Sequence, residues 1–346
     1  MTERSSLPST VLELFDRACD KITLSWAAGD LTPAPDWVPA PDSSGWCVLD
    51  GQAVGRHVRS LAAGLVSLGV RPGERVALMM ANRPEHWLTD QAVLKTGAIP
   101  CTFYPTLSAE QVRAQAEHAR ISTVVLEGAT QLEQWSLAIS LPQLRRIIVL
   151  DGQARRATAA VAGHTYAETL ARGADLLARD ADALIDAASA VGPDDPTTII
   201  FTSGTTAAPK AVLITHRNVL AVLSGIDAVG TMPATYRTVS YLPTAHIVDR
   251  MGSIYLALVS GGEIAFSPTP RDFDRVIARS RPTSLIGVPR IWERVLAGLD
   301  DMAETTTSAQ RLLAAGLDRL ELAITAGAPM PLATSSKLRN HGLPLV

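Results

Sequence analysis

The sequence contains little cysteine, and its three cysteines, Cys19, Cys47 and Cys101, lie far apart. An odd number of widely spaced thiols forms neither a disulfide framework nor a metal-ligand pattern, which is typical of proteins in a reducing cytosol. No apolar run approaches the roughly 18 residues that indicate a membrane-spanning helix. The N-terminal stretch lacks a basic segment followed by an apolar one, so we expect no signal peptide. These absences predict a cytoplasmic protein and leave peripheral membrane contact open.

The chain also lacks an excess of either charge. Its 31 lysines and arginines face 34 aspartates and glutamates, for a formal net charge of -3, and the basic residues are scattered. We therefore expect no nucleic acid partner. With 346 residues, 47% of them hydrophobic, the chain is long enough for more than one core, which favours two subdomains.

From about Val54 onward, the sequence alternates between helical stretches and short aliphatic runs. "VRSLAAGLVSLG" has the apolar spacing of a helix, whereas "RVALMM", "STVVLEG" and "TTIIF" are typical of buried strands. This alternation predicts an α/β fold of two βαβ subdomains, with mostly parallel sheets flanked by helices. We predict a first subdomain at 54–190 and a second at 191–346, separated by the punctuation "GPDDP". Residues 1–53 are expected to pack on the second subdomain.

The last four residues, "LPLV", have the composition of a further buried strand. We therefore expect the second subdomain to be incomplete at its C-terminal end and the chain to be truncated.

The segment "TTIIFTSGTTAAPKAVLITHRN", residues 197–218, places small hydroxyl residues after an apolar strand. At the carboxyl edge of a parallel sheet, accessible N–H groups and hydroxyls suit phosphate oxygens, and a lysine adds a point charge. The candidates are Thr202, Ser203, Gly204, Thr205, Thr206 and Lys210. The segment is not a Walker A loop, because Pro209 stands where the second glycine would be and Ala211 follows the lysine. A Ser/Thr-rich turn without a ligand is the alternative interpretation.

Several motifs resemble those of the adenylate-forming (AMP-binding) superfamily, in the order of that family. "FTSGTTAAPKAVLITHRN" is similar to its phosphate-binding signature, and "YLPTAHIVDRMG" and "ITAGAPMP" are similar to the two motifs that follow. "GVPRIWERV" and "FYPTLSAEQV" resemble the long-chain fatty acyl-CoA synthetase branch. The resemblance runs from about Gly45 to Val346. It implies the N-terminal portion of such a ligase, folded as the large N-terminal domain of the adenylate-forming enzymes.

The resemblance also implies a site. The hydroxyl residues and Lys210 would hold the β- and γ-phosphates of ATP, with Mg²⁺ at Thr206. His246 would lie near the reacting carboxylate as the catalytic residue, and Gly327 and Ala328 would line the adenine and acyl pocket. The implied activity converts a long-chain fatty acid and ATP to acyl-AMP and pyrophosphate, after which coenzyme A takes the acyl group.

Two departures from the family pattern affect this reading. Alanines stand at Ala207 and Ala211 where the family has glycine, and a Cβ at a position of positive φ costs roughly 1–2 kcal/mol. The family's Tyr-Gly-x-Thr-Glu motif and the small C-terminal domain with its catalytic lysine are not among these residues. We therefore expect weak or no activity from this chain alone. The alternatives are a fatty acyl-AMP ligase that feeds a carrier protein, and a catalytically dead nucleotide- or acyl-binding fragment.

Overall fold

The structure, a computed structural model, describes residues 7–31, 37, 39–152, 161–184, 191–202, 209–229, 232–303 and 305–346. The strands of these residues form three sheets. Within these residues, neighbouring strands are parallel except at the β8–β9 and β1–β2 pairs. The seven-stranded sheet has the order β7 (Ala162–Thr165), β6 (Arg146–Val149), β5 (Ile121–Leu126), β3 (Arg75–Met79), β4 (Ile99–Thr102), β8 (Pro196–Thr202) and β9 (Lys210–Thr215). The four-stranded sheet has the order β10 (Arg237–Ser240), β11 (Glu263–Phe266), β1 (Thr23–Ala27) and β2 (Trp46–Leu49). The third sheet pairs β12 (Ser284–Gly287) with β13 (Leu322–Thr325).

The helices of the described residues connect and cover these strands. They are α1 (Val11–Ala18), α2 (Gly51–Ser67), α3 (Pro84–Lys95), α4 (Ala109–His118), α5 (Ala129–Gln134), α6 (Tyr166–Arg179), α7 (His216–Val229), α9 (Phe273–Ser280), α10 (Pro289–Asp300), α11 (Ser308–Ala314) and α12 (Leu332–Asn340). Helix α8 runs through Ile247–Asp249, the π-helical segment Arg250–Leu256 and Ala257–Ser260. No helix in the described ranges has both the length and the apolar character that crossing a membrane requires.

Strand β3 shows how the first sheet is covered on both faces. Val76 and Leu78 point to the cluster that contains residues of α2 and α3, whereas Ala77 and Met79 point to the cluster that contains residues of α4. The two-residue period of a strand separates these side chains, so a strand covered on both sides is apolar throughout. The expected fold class, α/β with mostly parallel sheets flanked by helices, is confirmed.

Helix α3 lies between the first and second sheets. The core cluster around it contains Leu78 of the first sheet together with Leu24 and Ile264 of the second. All residues of α3 from Pro84 to Leu94 are buried, polar ones included. Because a buried polar group needs a partner, His86 and Asp90 of this helix bond to Thr102 of the first sheet and to Arg250 of α8.

Strand pairing does not follow the expected boundary after residue 190. Ile199 of β8 pairs with Cys101 of β4, so β8 and β9 extend the first sheet instead of starting the second. The open edge of β4 accepts a parallel strand, and the Pro and Gly residues of "GPDDP" only turn the chain into it. Strands β1 and β2 of the N-terminal segment lie in the second sheet beside β11. The division of the chain into domains otherwise stays a prediction.

Candidate functional site

The hydroxyl-rich segment lies between two strands, β8 and β9. Strand β8 ends at Thr202, which pairs in antiparallel register with Lys210, the first residue of β9. Both residues are exposed. Lys210 therefore lies beside Thr202, at the edge of the first sheet where the parallel strands have their carboxyl ends. Four of the predicted phosphate-binding residues, Ser203, Gly204, Thr205 and Thr206, lie outside the described residues, as does Ala207.

The alanine at position 211 is not strained. Ala211 is a strand residue opposite Phe201, and its partly buried side chain packs against the core on one face of the first sheet. Within the described ranges, the residues other than glycine with positive φ are Arg120 and Arg281. The backbone cost that a Cβ would have at a position of positive φ therefore does not apply to Ala211, because an extended residue accepts any side chain.

His246 caps the N-terminus of helix α8. Its Nδ1 accepts a hydrogen bond from the Val248 N–H at 3.2 Å, so the neutral ring carries its proton on Nε2. The residue is exposed, whereas Thr244 and Ala245 before it are buried. The capping bond thus fixes one ring nitrogen and leaves the other as a donor at the surface.

Gly327 and Ala328 leave the carboxyl end of β13, and both are exposed. Gly327 has φ +85°, and a Cβ there would lie 3.3 Å from Val288 Cγ1. The position therefore needs glycine both for its backbone and for the close approach of its neighbour. A bare backbone at this edge also lets a flat ligand approach closely.

The loops that carry His246 and Gly327 are joined through the end of β12. The Tyr241 hydroxyl donates to the Ile286 carbonyl at 2.7 Å, and the Ala326 N–H donates to the Gly287 carbonyl at 3.0 Å. Trp292 Nε1 donates to the Ile324 carbonyl at 3.2 Å from a fully buried ring. The end of β12 thus contacts both the loop that follows β10 and the loop that follows β13, although these two strands belong to different sheets.

Comparison with known proteins decides the family. The sequence profile described as "AMP-binding enzyme" matches residues 36–346. The chain belongs to the AMP-binding enzyme family. A long-chain-fatty-acid–CoA ligase of Mycobacterium tuberculosis is 31% identical over 255 residues, which are 72% of this chain and 40% of that protein. A long-chain-fatty-acid–CoA ligase of Drosophila melanogaster is 28% identical over 306 residues, covering 83% of this chain and 42% of that one. The chain thus spans about two fifths of these AMP-binding relatives.

Solved structures agree on the fold. A long-chain-fatty-acid–CoA ligase from Archaeoglobus fulgidus superposes with a TM-score of 0.73 at 18% identity, over 99% of this chain and 63% of that one. The adenylation domain of a carboxylate reductase from Mycobacterium chelonae superposes with a TM-score of 0.71 at 18% identity, over 99% of this chain and 57% of that one. This chain therefore has the fold of the adenylate-forming domains.

Beneath the exposed edge of this AMP-binding domain lies a buried ion pair that the sequence interpretation missed. Both guanidinium NH groups of Arg250 donate to Asp90, at 2.7 and 3.0 Å, and neither side chain is more than 1% exposed. Arg250 also donates to the Tyr255 hydroxyl at 3.3 Å. Burial raises the pKa of Asp90, and the charge of Arg250 opposes that shift. The pair connects α3, which follows a strand of the first sheet, to the π-helical part of α8, which follows a strand of the second sheet.

A second buried carboxyl, that of Asp249, lies next to the loop that carries His246. It accepts hydrogen bonds from Ser253 Oγ at 2.8 Å and Ser240 Oγ at 3.2 Å. Burial raises the pKa of Asp249 to about 7, although the two hydroxyls favour the ionised form. A carboxyl whose pKa is raised this far is partly protonated near neutral pH.

The sequence contained a weak signal for both carboxyls. "DR" at 249–250 and "TDQ" at 89–91 place polar residues next to apolar ones in helical segments. Such interruptions indicate buried polar contacts, but they do not identify the partner, which lies 160 residues away for Asp90 and Arg250.

The described residues do not fit a metal site made by the protein alone. Within the described ranges, no three His, Cys, Asp or Glu side chains converge to hold an ion. Thr206, the predicted metal residue, lies outside those ranges. Magnesium in nucleotide sites is commonly held by one or two protein groups together with substrate phosphates.

Proposed function

We propose that this chain carries the nucleotide and acyl site of a long-chain fatty acid–CoA ligase. The named relatives at 28–31% identity support this substrate class, and the carboxyl-edge position of the predicted loops supports a nucleotide site. The proposed substrates are ATP, a long-chain fatty acid and coenzyme A. We place the protein in the cytoplasm, with contact to membranes through its lipid substrate.

The proposed reaction has two steps. A carboxylate oxygen of the fatty acid attacks the α-phosphorus of ATP, the bond to the β-phosphate breaks, and pyrophosphate leaves with the electron pair. The coenzyme A thiol then loses its proton and attacks the acyl carbon, and AMP leaves. Charge builds up on phosphate oxygens in the first step, so the main task of the protein is to position the reactants and neutralise this charge.

Each described residue has a proposed part in that task. Lys210 neutralises phosphate charge beside Thr202. His246 uses its exposed Nε2–H to hold a carboxylate or phosphate oxygen near the reacting centre. Gly327 and Ala328 provide a flat backbone surface for the adenine and the start of the acyl chain. Mg²⁺ comes with ATP and adds positive charge at the phosphates.

One observation carries the proposal: Lys210 and Thr202 face each other at the mouth of a hairpin on the carboxyl edge. Replacing Lys210 by alanine should remove a charge-assisted phosphate contact worth about 1.5–3 kcal/mol. ATP affinity should then fall about tenfold or more, measured by calorimetry with Mg²⁺ present.

The matched control is Lys21→Ala, which removes an exposed lysine near Gly261, away from the hairpin. It should leave ATP affinity unchanged. Equal affinity in the Lys210→Ala variant and the unaltered protein would refute a phosphate site at this hairpin. Pyrophosphate release that depends on fatty acid, followed by acyl-CoA formation, tests the rest of the proposal.

A further inference from the structure

The loop of residues 241–246 is held by side chains from a distant part of the chain. It begins where β10 ends at Ser240, and it ends at His246, the cap of α8. Asn82, which follows β3, donates from Nδ2 to Ser240 Oγ at 2.8 Å and to the Leu242 carbonyl at 2.7 Å. Asn82 is 8% exposed, so water does not easily replace these bonds.

A third tether comes from the first turn of α3. His86 Nε2 lies 3.1 Å from Thr244 Oγ1 and 3.2 Å from Thr102 Oγ1, the last residue of β4. Burial and the charge of Arg250 lower the pKa of His86 to about 3, so the ring is neutral. The tethered residues are thus Ser240, at the end of β10, and Leu242 and Thr244 of the loop, which lie every second residue before His246.

The amide of Asn82 is suited to this arrangement because it donates one hydrogen bond to the end of β10, at Ser240, and one to the loop, at Leu242. A carboxylate in its place could not donate and would put an oxygen against the Leu242 carbonyl. An alanine would leave the partly buried Leu242 carbonyl without this partner. Either change should release the loop from the end of the first sheet.

We propose that Asn82 is a positioning residue: it holds the loop of residues 241–246 in register with the first sheet and so determines where the His246 imidazole lies. It touches no reacting group in this scheme and acts through Ser240 and Leu242. The placement of His246 is a structural claim, whereas its catalytic consequence rests on the proposed function.

Nuclear magnetic resonance of the ligand-free protein, labelled with ¹⁵N, tests the placement. In the unaltered protein, the ring nitrogens of His246 should report one tautomer, with Nδ1 accepting from the Val248 amide. In Asn82→Asp, the ring nitrogen signals of His246 should move toward the average of the two tautomers, and the Val248 amide signal should change position. His246→Gln identifies the ring signals among the seven histidines.

The matched control is Ser122→Ala. It removes a mostly buried hydroxyl of the same sheet, bonded to Glu74 at 2.9 Å, without touching the loop. It should leave the His246 and Val248 signals in place. If Asn82→Asp does not fold, Asn82→Ser is used, because serine keeps a donor but cannot span both acceptors. Signals of His246 and Val248 that stay unchanged in the folded variant would overturn the proposal.

Steady-state kinetics of pyrophosphate release separates this inference from the proposed function. If the unaltered protein turns over, Asn82→Asp should lower kcat about tenfold to a hundredfold with little change in KM for ATP. Full kcat in that variant would also overturn the positioning role. Shifted His246 signals in a protein that binds no ATP by calorimetry would support the placement and count against the proposed function.

Discussion

The buried pair of Asp90 and Arg250 allows a stability prediction with a defined pH dependence. Arg250→Met removes the cation and leaves Asp90 in a site with 0% side-chain exposure. Removing one partner of a buried pair typically costs about 3–5 kcal/mol. Asp90 can limit this loss by taking up a proton. For a carboxyl with the usual pKa near 4, protonation at pH 7 costs about 4 kcal/mol.

The two single variants should therefore respond differently to pH. In Arg250→Met, the folded state holds a protonated Asp90, so the loss of stability shrinks as pH falls toward about 4, where the unfolded chain is protonated too. In Asp90→Asn, the unpaired guanidinium of Arg250 cannot lose its proton, so the loss should stay near 3–5 kcal/mol over the same range. The double variant Asp90→Leu/Arg250→Met should recover most of the stability, because neither charge remains.

Urea unfolding at pH 5 and pH 8 measures these differences in unfolding free energy. The comparison requires that the slope of the unfolding free energy against urea concentration is the same for all variants. Asp194→Asn is the matched control, because Asp194 forms the same two-point contact with Arg217, at 2.6 and 2.7 Å, at the surface. That variant should change stability little. Losses under about 1 kcal/mol in both buried single variants, or a double variant no more stable than either, would refute the reasoning.

Further variants test other parts of the structure. The raised pKa of Asp249, about 7, means that the contribution of this carboxyl to stability falls as pH rises from about 4 to about 7, by an amount on the order of 4 kcal/mol; the urea-unfolding free energy of Asp249→Asn relative to the unaltered protein should therefore rise by that amount over this range. Gly327→Ala should lower stability by roughly 1–2 kcal/mol because of its positive φ and the nearby Val288, and calorimetry should show weaker ATP binding. Gly173→Ala should cost about 1–3 kcal/mol or more in thermal unfolding, because its Cβ would overlap a carbonyl of α2. Ala211→Gly should cost about 0.5–1 kcal/mol and give no gain in ATP affinity, since β9 needs no positive φ there.

Local pattern was enough to predict many of the elements. The predicted helical stretch "VRSLAAGLVSLG" lies mostly in α2, and the predicted strands "RVALMM", "STVVLEG" and "TTIIF" lie in β3, β5 and β8. Strand β9 was missed, because an edge strand has no steady alternation of buried and exposed residues: Val212 is 39% exposed and Leu213 54%. Strand β7 was missed for a similar reason, since only one of its four residues is fully buried.

The sequence by itself determined the fold class, the family, and the segments that carry Thr202, Lys210, His246 and Gly327. These follow from short-range features: apolar period, glycine and hydroxyl spacing, and motif order. Only the tertiary structure decided that β8 and β9 extend the first sheet at one edge and that Ala211 is unstrained. It also decided that Asn82 and Asp90 form hydrogen bonds with residues more than 150 positions away in the sequence. The physical reason is that strand edges and buried polar groups are satisfied by whichever partner the packed chain brings within about 3 Å. Neighbours in the sequence do not specify that partner.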